Sequence, residues 1–100
     1  MDFEWDPAKN ERNIHRHGID FEFAKLIFAE AILERIDDRR DYGEVRWIAI
    51  GTVEALEVTV VYTWRGQTRR LISARRAHSS ERRAYRQAFP GVGGSRPNRS

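Results

Sequence analysis

Apolar positions along this chain follow a helical spacing in the first third, an alternating one in the middle, and a helical one again near the end. Phe3-Glu4-Trp5 alternates and predicts a short edge strand. Asp6-Pro7 has the form of an N-cap followed by a first-turn proline, and Gly18 stands where a left-handed glycine stops a helix. A first helix is therefore expected over 7–17, polar and superficial, with Ile14 as its buried residue. Asp20 is placed to cap a second helix reaching Ala29, whose Phe21, Phe23, Ala24, Ile27 and Phe28 form a broad apolar face. Ala31–Ile36 is compatible with a strand or with more helix. Asp37–Glu44 is a charged loop punctuated by Gly43.

Three strands follow. Val45–Val53 is the first, Glu54-Ala55, with or without Leu56, turns the chain, and Glu57–Trp64 is the second, dense in β-branched and aromatic residues. Arg65-Gly66-Gln67 turns it again into a third strand over 68–75. Connections this short join antiparallel neighbours, so a meander is expected. Ser79 or Ser80 would cap a closing helix, with Glu81 in its first turn. Tyr85, Ala88 and Phe89 share one face of that helix, Arg82, Arg83 and Arg86 lie largely away from it, and Pro90 ends it. The expected fold class is α+β: a small antiparallel sheet of three to four strands, two N-terminal helices and one C-terminal helix. Helices cover one sheet face and leave the other for binding. Residues 1–89 form one domain, and residues 90–100, rich in Gly, read as a flexible tail.

Composition narrows the class. One hundred residues, 40% hydrophobic and 33% charged, suit one folded domain near the lower size limit, and domains of that size often bury apolar surface against a partner. No apolar run approaches the ~20 residues of a membrane helix. Asp2 and Glu4 argue against a secretory leader, so a cytoplasmic location is expected. The absence of Cys excludes disulfides and thiolate zinc sites.

The net charge of +3 conceals an asymmetry. Residues 1–64 hold 8 Lys and Arg against 14 Asp and Glu, whereas residues 65–100 hold 10 Arg against Glu81 alone. Arg outnumbers Lys by 16 to 2, and only Arg grips phosphate through two parallel bonds. The basic third points to a polyanion or an acidic protein.

Several linked motifs resemble the BrnT toxin family. Phe3-Glu4-Trp5-Asp6-Pro7, Lys9, Asn10, Asn13-Ile14 and His17-Gly18 resemble its N-terminal signature. Asp41-Tyr42-Gly43-Glu44, Arg46 and Ala49-Ile50-Gly51 resemble its middle motif. Val61-Tyr62-Thr63, Ile72-Ser73-Ala74-Arg75-Arg76-Ala77 and Glu81-Arg82-Arg83 resemble its C-terminal part. The resemblance implies a RelE-like ribonuclease fold and the toxin of a bacterial type II toxin–antitoxin pair. It also implies a partner antitoxin, BrnA, with a ribbon-helix-helix DNA-binding domain, so that DNA is met only through the antitoxin.

RNA is cut without a metal or other cofactor when its 2′-OH attacks the adjacent phosphorus. The protein must then accept one proton, supply another, and steady the phosphorane charge. Arg46, Arg75 and Arg76 are the candidates for charge stabilisation. Arg46 opens one meander strand and Arg75-Arg76 close another, which we take to place them toward one rim. Strand parity sends Arg75 and Arg76 to opposite faces, but Leu71 and Ile72 are both apolar and leave the choice open. For the proton steps the candidates are Glu44, beside Arg46, and His17, before the helix stop; His78 ranks lower. Glu44 also suits a structural ion pair, and His17 suits the helix dipole. Arg69, Arg82, Arg83 and Tyr62 are the candidate RNA-binding residues, although Tyr62 and Trp64 share parity with Val58 and Val60, which favours the core. Tyr85, on an apolar helix face, has the same core alternative. His15 and His17 lie about 200° apart on a helix and cannot share an ion. A non-catalytic nucleic-acid binder or a protein-interaction module would use the same basic face.

Overall fold

The computed structural model describes residues 1–91. The elements are β1 (Asp2–Glu4), α1 (Pro7–His17), α2 (Phe21–Ala24) with a 3₁₀ extension over Lys25–Ala29, β2 (Leu33–Ile36), β3 (Trp47–Val53), β4 (Leu56–Arg65), β5 (Thr68–Arg76) and α3 (Ser79–Ala88). They build one five-stranded sheet in the order β1-β5-β4-β3-β2. The expected meander is its centre. The expected count of three to four antiparallel strands is corrected to a five-strand mixed sheet. β2 adds an antiparallel edge, and β1 adds a parallel edge on β5. The direction of β1 depends on a partner more than sixty residues away, which no local pattern encodes. Of the expected tail, residues 92–100 lie outside the described residues.

The signals that bound the first helix hold. Asp6 accepts the Ala8 N–H at 2.9 Å, and Gly18 turns left-handed at φ 72° while its N–H reaches the Ile14 carbonyl at 2.7 Å. The second helix is the exception: after one turn it tightens to 3₁₀. There Ile27 lies over Gly51 so closely that a Cβ on Gly51 would sit 2.6 Å from Ile27 Cβ. The missing side chain lets this segment rest directly on β3.

One sheet face carries the main core. Ile19, Phe21, Ala24, Ile27 and Phe28 pack against Ala49, Val53, Val58, Val60, Tyr62, Leu71 and Ala74. The opposite face is only partly free, because α3 lays the fully buried Tyr85 against Ile50 and Ala77. Tyr85 also donates to the Ala31 carbonyl at 2.8 Å. Ala88, expected on that face, is exposed.

Two irregularities set the functional side chains. Val61 pairs with Ser73 but Tyr62 pairs with Leu71, so Ile72 is an extra residue in β5. This bulge explains why Leu71 and Ile72 are both apolar, and it answers the parity question. Leu71 and Ala74 face the main core, while Ser73 and Arg75 face the α3 side. Secondly, β1 pairs only with residues 68–70, so the outer edge of β5 beyond Leu71 has no strand beside it. Asn13 of α1 takes the place of one. Its amide donates to the Ala74 carbonyl at 2.8 Å and accepts the Ala74 N–H at 3.0 Å, and it also donates to the Ile19 carbonyl at 2.9 Å. Asn13, not the half-buried Ile14, is the buried residue of α1.

Candidate active site

β3 and β5 both run antiparallel to β4, so they run parallel to each other. Trp47 therefore lies across from Tyr62 and Leu71, whereas Arg75 lies across from Thr59 and Ile50. Arg46 and Arg75 do not share a rim. They are separated by four residues along the strand direction, roughly 13 Å, and by two strand spacings. The expectation of a common rim fails because strands two apart align start with start.

At the Arg46 end the loop closes on itself. Asp37 is buried and accepts two bonds from Arg39, at 2.7 and 2.8 Å, and one from the Tyr42 hydroxyl at 3.0 Å. The Arg39 hydrogen bonds, joined by that of Tyr42, hold the Asp37 carboxyl far below the usual carboxylate range. Arg46 stacks on Tyr42, 4.2 Å from the ring centre, and bonds Glu44 at 3.1 Å. Glu44 is thus the structural partner of Arg46, and Arg65 approaches it to 4.0 Å.

The Arg75 end is different. Arg75 and Glu81 form a two-pronged pair at 2.8 and 3.0 Å. Glu81 also accepts the Thr59 hydroxyl at 3.1 Å and the His78 N–H at 2.7 Å. His78, rather than Ser79 or Ser80, stands at the N-cap of α3. Burial alone would raise the Glu81 carboxyl, but the bonds from Arg75 and His78 outweigh it and bring it to about 2. The guanidinium of Arg75 is fixed in place with a quarter of the side chain exposed.

His17 lies beside this group. With Lys9, Arg12, Asn13, Arg16, Ile72 and Ser73 it lines a groove of about 220 Å³ between α1 and the bulged part of β5. Desolvation, then the charges of Arg16 and Arg75, lower the His17 imidazole below its ordinary 6.5. Its neutral form therefore predominates near pH 7, where it can accept a proton. Of the five residues proposed for catalysis from the sequence, His17 lines this groove and Arg75 is the one whose charge reaches it. Arg46 and Glu44 form a separate cluster. Arg76 is exposed and, by parity, directed to the other face of β5.

The proposed RNA-binding residues divide as well. Tyr62 is 1% exposed and donates to Glu34 at 2.6 Å, so it presents no ring face to a base. Burial first, then that hydrogen bond, pushes its hydroxyl up to about 12. Arg69 lies among Phe28, Trp64 and Tyr62, with ring centres 4.2, 4.5 and 5.1 Å away. Its guanidinium is engaged in cation–π packing. Arg82 donates to the Ala77 carbonyl at 2.7 Å, while Arg83 is exposed. Trp64, expected in the core with Tyr62, is 42% exposed. The residues missed from the sequence are Lys9, Arg12 and Arg16. Their spacing of three and then four on an obvious helix was the available signal, masked by the acidic balance of that half of the chain.

Fold and groove together define a small α+β domain with cationic side chains along an open groove. The crystal structure of the Brucella abortus ribonuclease toxin, BrnT, is similar at a TM-score of 0.59 and 25% identity, covering 79% of this chain and 99% of that one. A family profile described as "Ribonuclease toxin, BrnT, of type II toxin-antitoxin system" matches residues 5–81, and the chain belongs to that family. No curated protein is matched. Membership of a type II system implies a protein antitoxin as partner.

Proposed function

We propose that this protein is an endoribonuclease toxin whose reaction centre is the His17–Arg75 corner, and that it cleaves RNA without a metal. Neutral His17 takes the 2′-OH proton. The 2′ oxygen bonds to phosphorus, the bond from phosphorus to the 5′ oxygen breaks, and the leaving oxygen gains a proton. The products are a 2′,3′-cyclic phosphate and a 5′-hydroxyl. Arg75, preset by Glu81, steadies the negative charge of the phosphorane. Arg46, with Glu44, and Arg76 lend charge to the surrounding surface but stand outside the centre.

The observation that carries this reading is that His17 lines a cationic groove and feels the charge of Arg75, whose guanidinium Glu81 clamps. RNA is the substrate in the cytoplasm, growth arrest the consequence, and a BrnA-like antitoxin with a ribbon-helix-helix domain the inhibitor. Purified protein should cleave RNA in EDTA. His17→Ala and Arg75→Ala should each lower the rate about 100-fold or more and relieve growth arrest. Arg46→Ala should leave most activity. The acidic limb of the pH–rate profile should fall below 6.5 and vanish in His17→Ala. Loss of cleavage in Arg46→Ala with activity kept in His17→Ala would move the centre to the far end of the sheet. Tight RNA binding without cleavage would favour a non-catalytic binder.

A further inference from the structure

The groove beside His17 has a wall that the reaction itself does not use. Lys9, Arg12 and Arg16 are exposed and fall within about 60° of one another around α1. With Asn13, His17, Ile72 and Ser73 they line the groove, and no carboxylate does. Among the described residues none of the three forms an ion pair. The same wall continues with His15 into an adjoining recess.

Local stability does not account for this pattern. Cations favour the last turn of a helix and are disfavoured in the first. Arg16 follows that preference. Lys9 runs against it, in a first turn whose nearest carboxylate is the N-cap Asp6. The stripe is better explained by an anion outside the helix.

We propose that Lys9, Arg12 and Arg16 form a track for the backbone of single-stranded RNA, leading it to the His17–Arg75 corner. This rests on the ribonuclease reading for its direction, though not for the binding itself. Seven residues of helix span about 10 Å, and the three cations along it can each meet one phosphate, about three in all. The chain enters the centre with its neighbouring phosphates already held, so the reacting 2′-OH is positioned by contacts remote from the bond that breaks. The groove has a volume of about 220 Å³ and is lined mostly by cationic and polar side chains. Ile72 is its single aliphatic lining residue, too little for the apolar anchors on which protein partners depend.

The test uses the full chain and the triple variant Lys9→Gln, Arg12→Gln, Arg16→Gln. Binding of a fluorescent 2′-O-methyl RNA, which cannot cleave by 2′ attack, is measured against KCl concentration. Each phosphate contact on a single strand contributes about 0.7 to the slope of log affinity against log salt. The variant should therefore lose about 2 in that slope and at least tenfold in affinity, with an unchanged circular dichroism spectrum and Tm. On cleavable RNA it should raise KM, and losing the Arg16 charge beside His17 should shift the acidic limb of the kcat profile upward. An unchanged slope in a folded variant overturns the track. So does a poly-glutamate peptide that binds the wild type as tightly as the RNA and loses affinity equally in the variant. A wild type that binds with the expected slope yet never cleaves refutes the ribonuclease reading and leaves the track standing. A wild type that cleaves while the variant keeps its slope refutes the track alone.

Discussion

Replacing Glu81 by Gln tests how α3 is tied to the site. The side chain is 14% exposed and accepts from Arg75, Thr59 and His78 at once. Its carboxyl lies at about 2, against an ordinary 4.5. That difference corresponds to about 3 kcal/mol favouring the ionised form in the folded state. Gln keeps the volume but loses the charge, and it turns an NH2 toward groups that are themselves donors. We expect Glu81→Gln to cost about 2–3 kcal/mol at pH 7, a large part of the roughly 5–15 kcal/mol available to a small domain. The folded value lies below the unfolded one, so the contribution is complete above 4.5 and fades as pH falls from there toward 2. Urea unfolding of both proteins at pH 7 and pH 3 should show the gap narrowing by about 2 kcal/mol. Asp37, also held low, gives both proteins a common acid sensitivity that cancels in the difference. A variant within about 0.5 kcal/mol of wild type at pH 7, or a gap independent of pH, would refute the clamp.

Two further outcomes follow from the backbone. Asn13→Ala strips partners from the Ala74 N–H, the Ala74 carbonyl and the Ile19 carbonyl. It should cost about 3–5 kcal/mol in chemical denaturation, with faster hydrogen exchange at the Ala74 amide. Glu54 and Ala55 turn the β3–β4 hairpin at φ 51° and 68°, where non-glycine residues are strained. Ala55→Gly should therefore raise stability by about 0.5–1 kcal/mol, read as a higher urea midpoint at constant slope.

What the sequence by itself determined is local. Asp6-Pro7 and Gly18 bound α1 because capping and left-handed turns use groups within a few residues. The alternation of Val58, Val60 and Tyr62 marked a strand with that face in the core, and the hairpin connections made β3, β4 and β5 neighbours. Family membership was legible in linked motifs, since several residue types at set spacings are rarely met by chance. His17 and Arg75 were legible as residue types suited to the chemistry.

Tertiary structure decided the rest. It set β1 parallel to β5, put Asn13 in place of a missing strand, and tightened the second helix over Gly51. The bulge at Ile72, visible only in the pairing of β5 with β4, decided which of Arg75 and Arg76 faces the α3 side. It also drew three Arg that looked alike in sequence into different work: Arg69 onto aromatic rings, Arg46 onto Tyr42 and Glu44, Arg75 into the clamp of Glu81. A guanidinium is free or committed according to which carboxylate or ring lies within a few ångströms, and for Arg69 and Arg75 those groups come from other elements of the chain. Spacing along one element is written in the chain, whereas proximity between elements exists only once the sheet has closed.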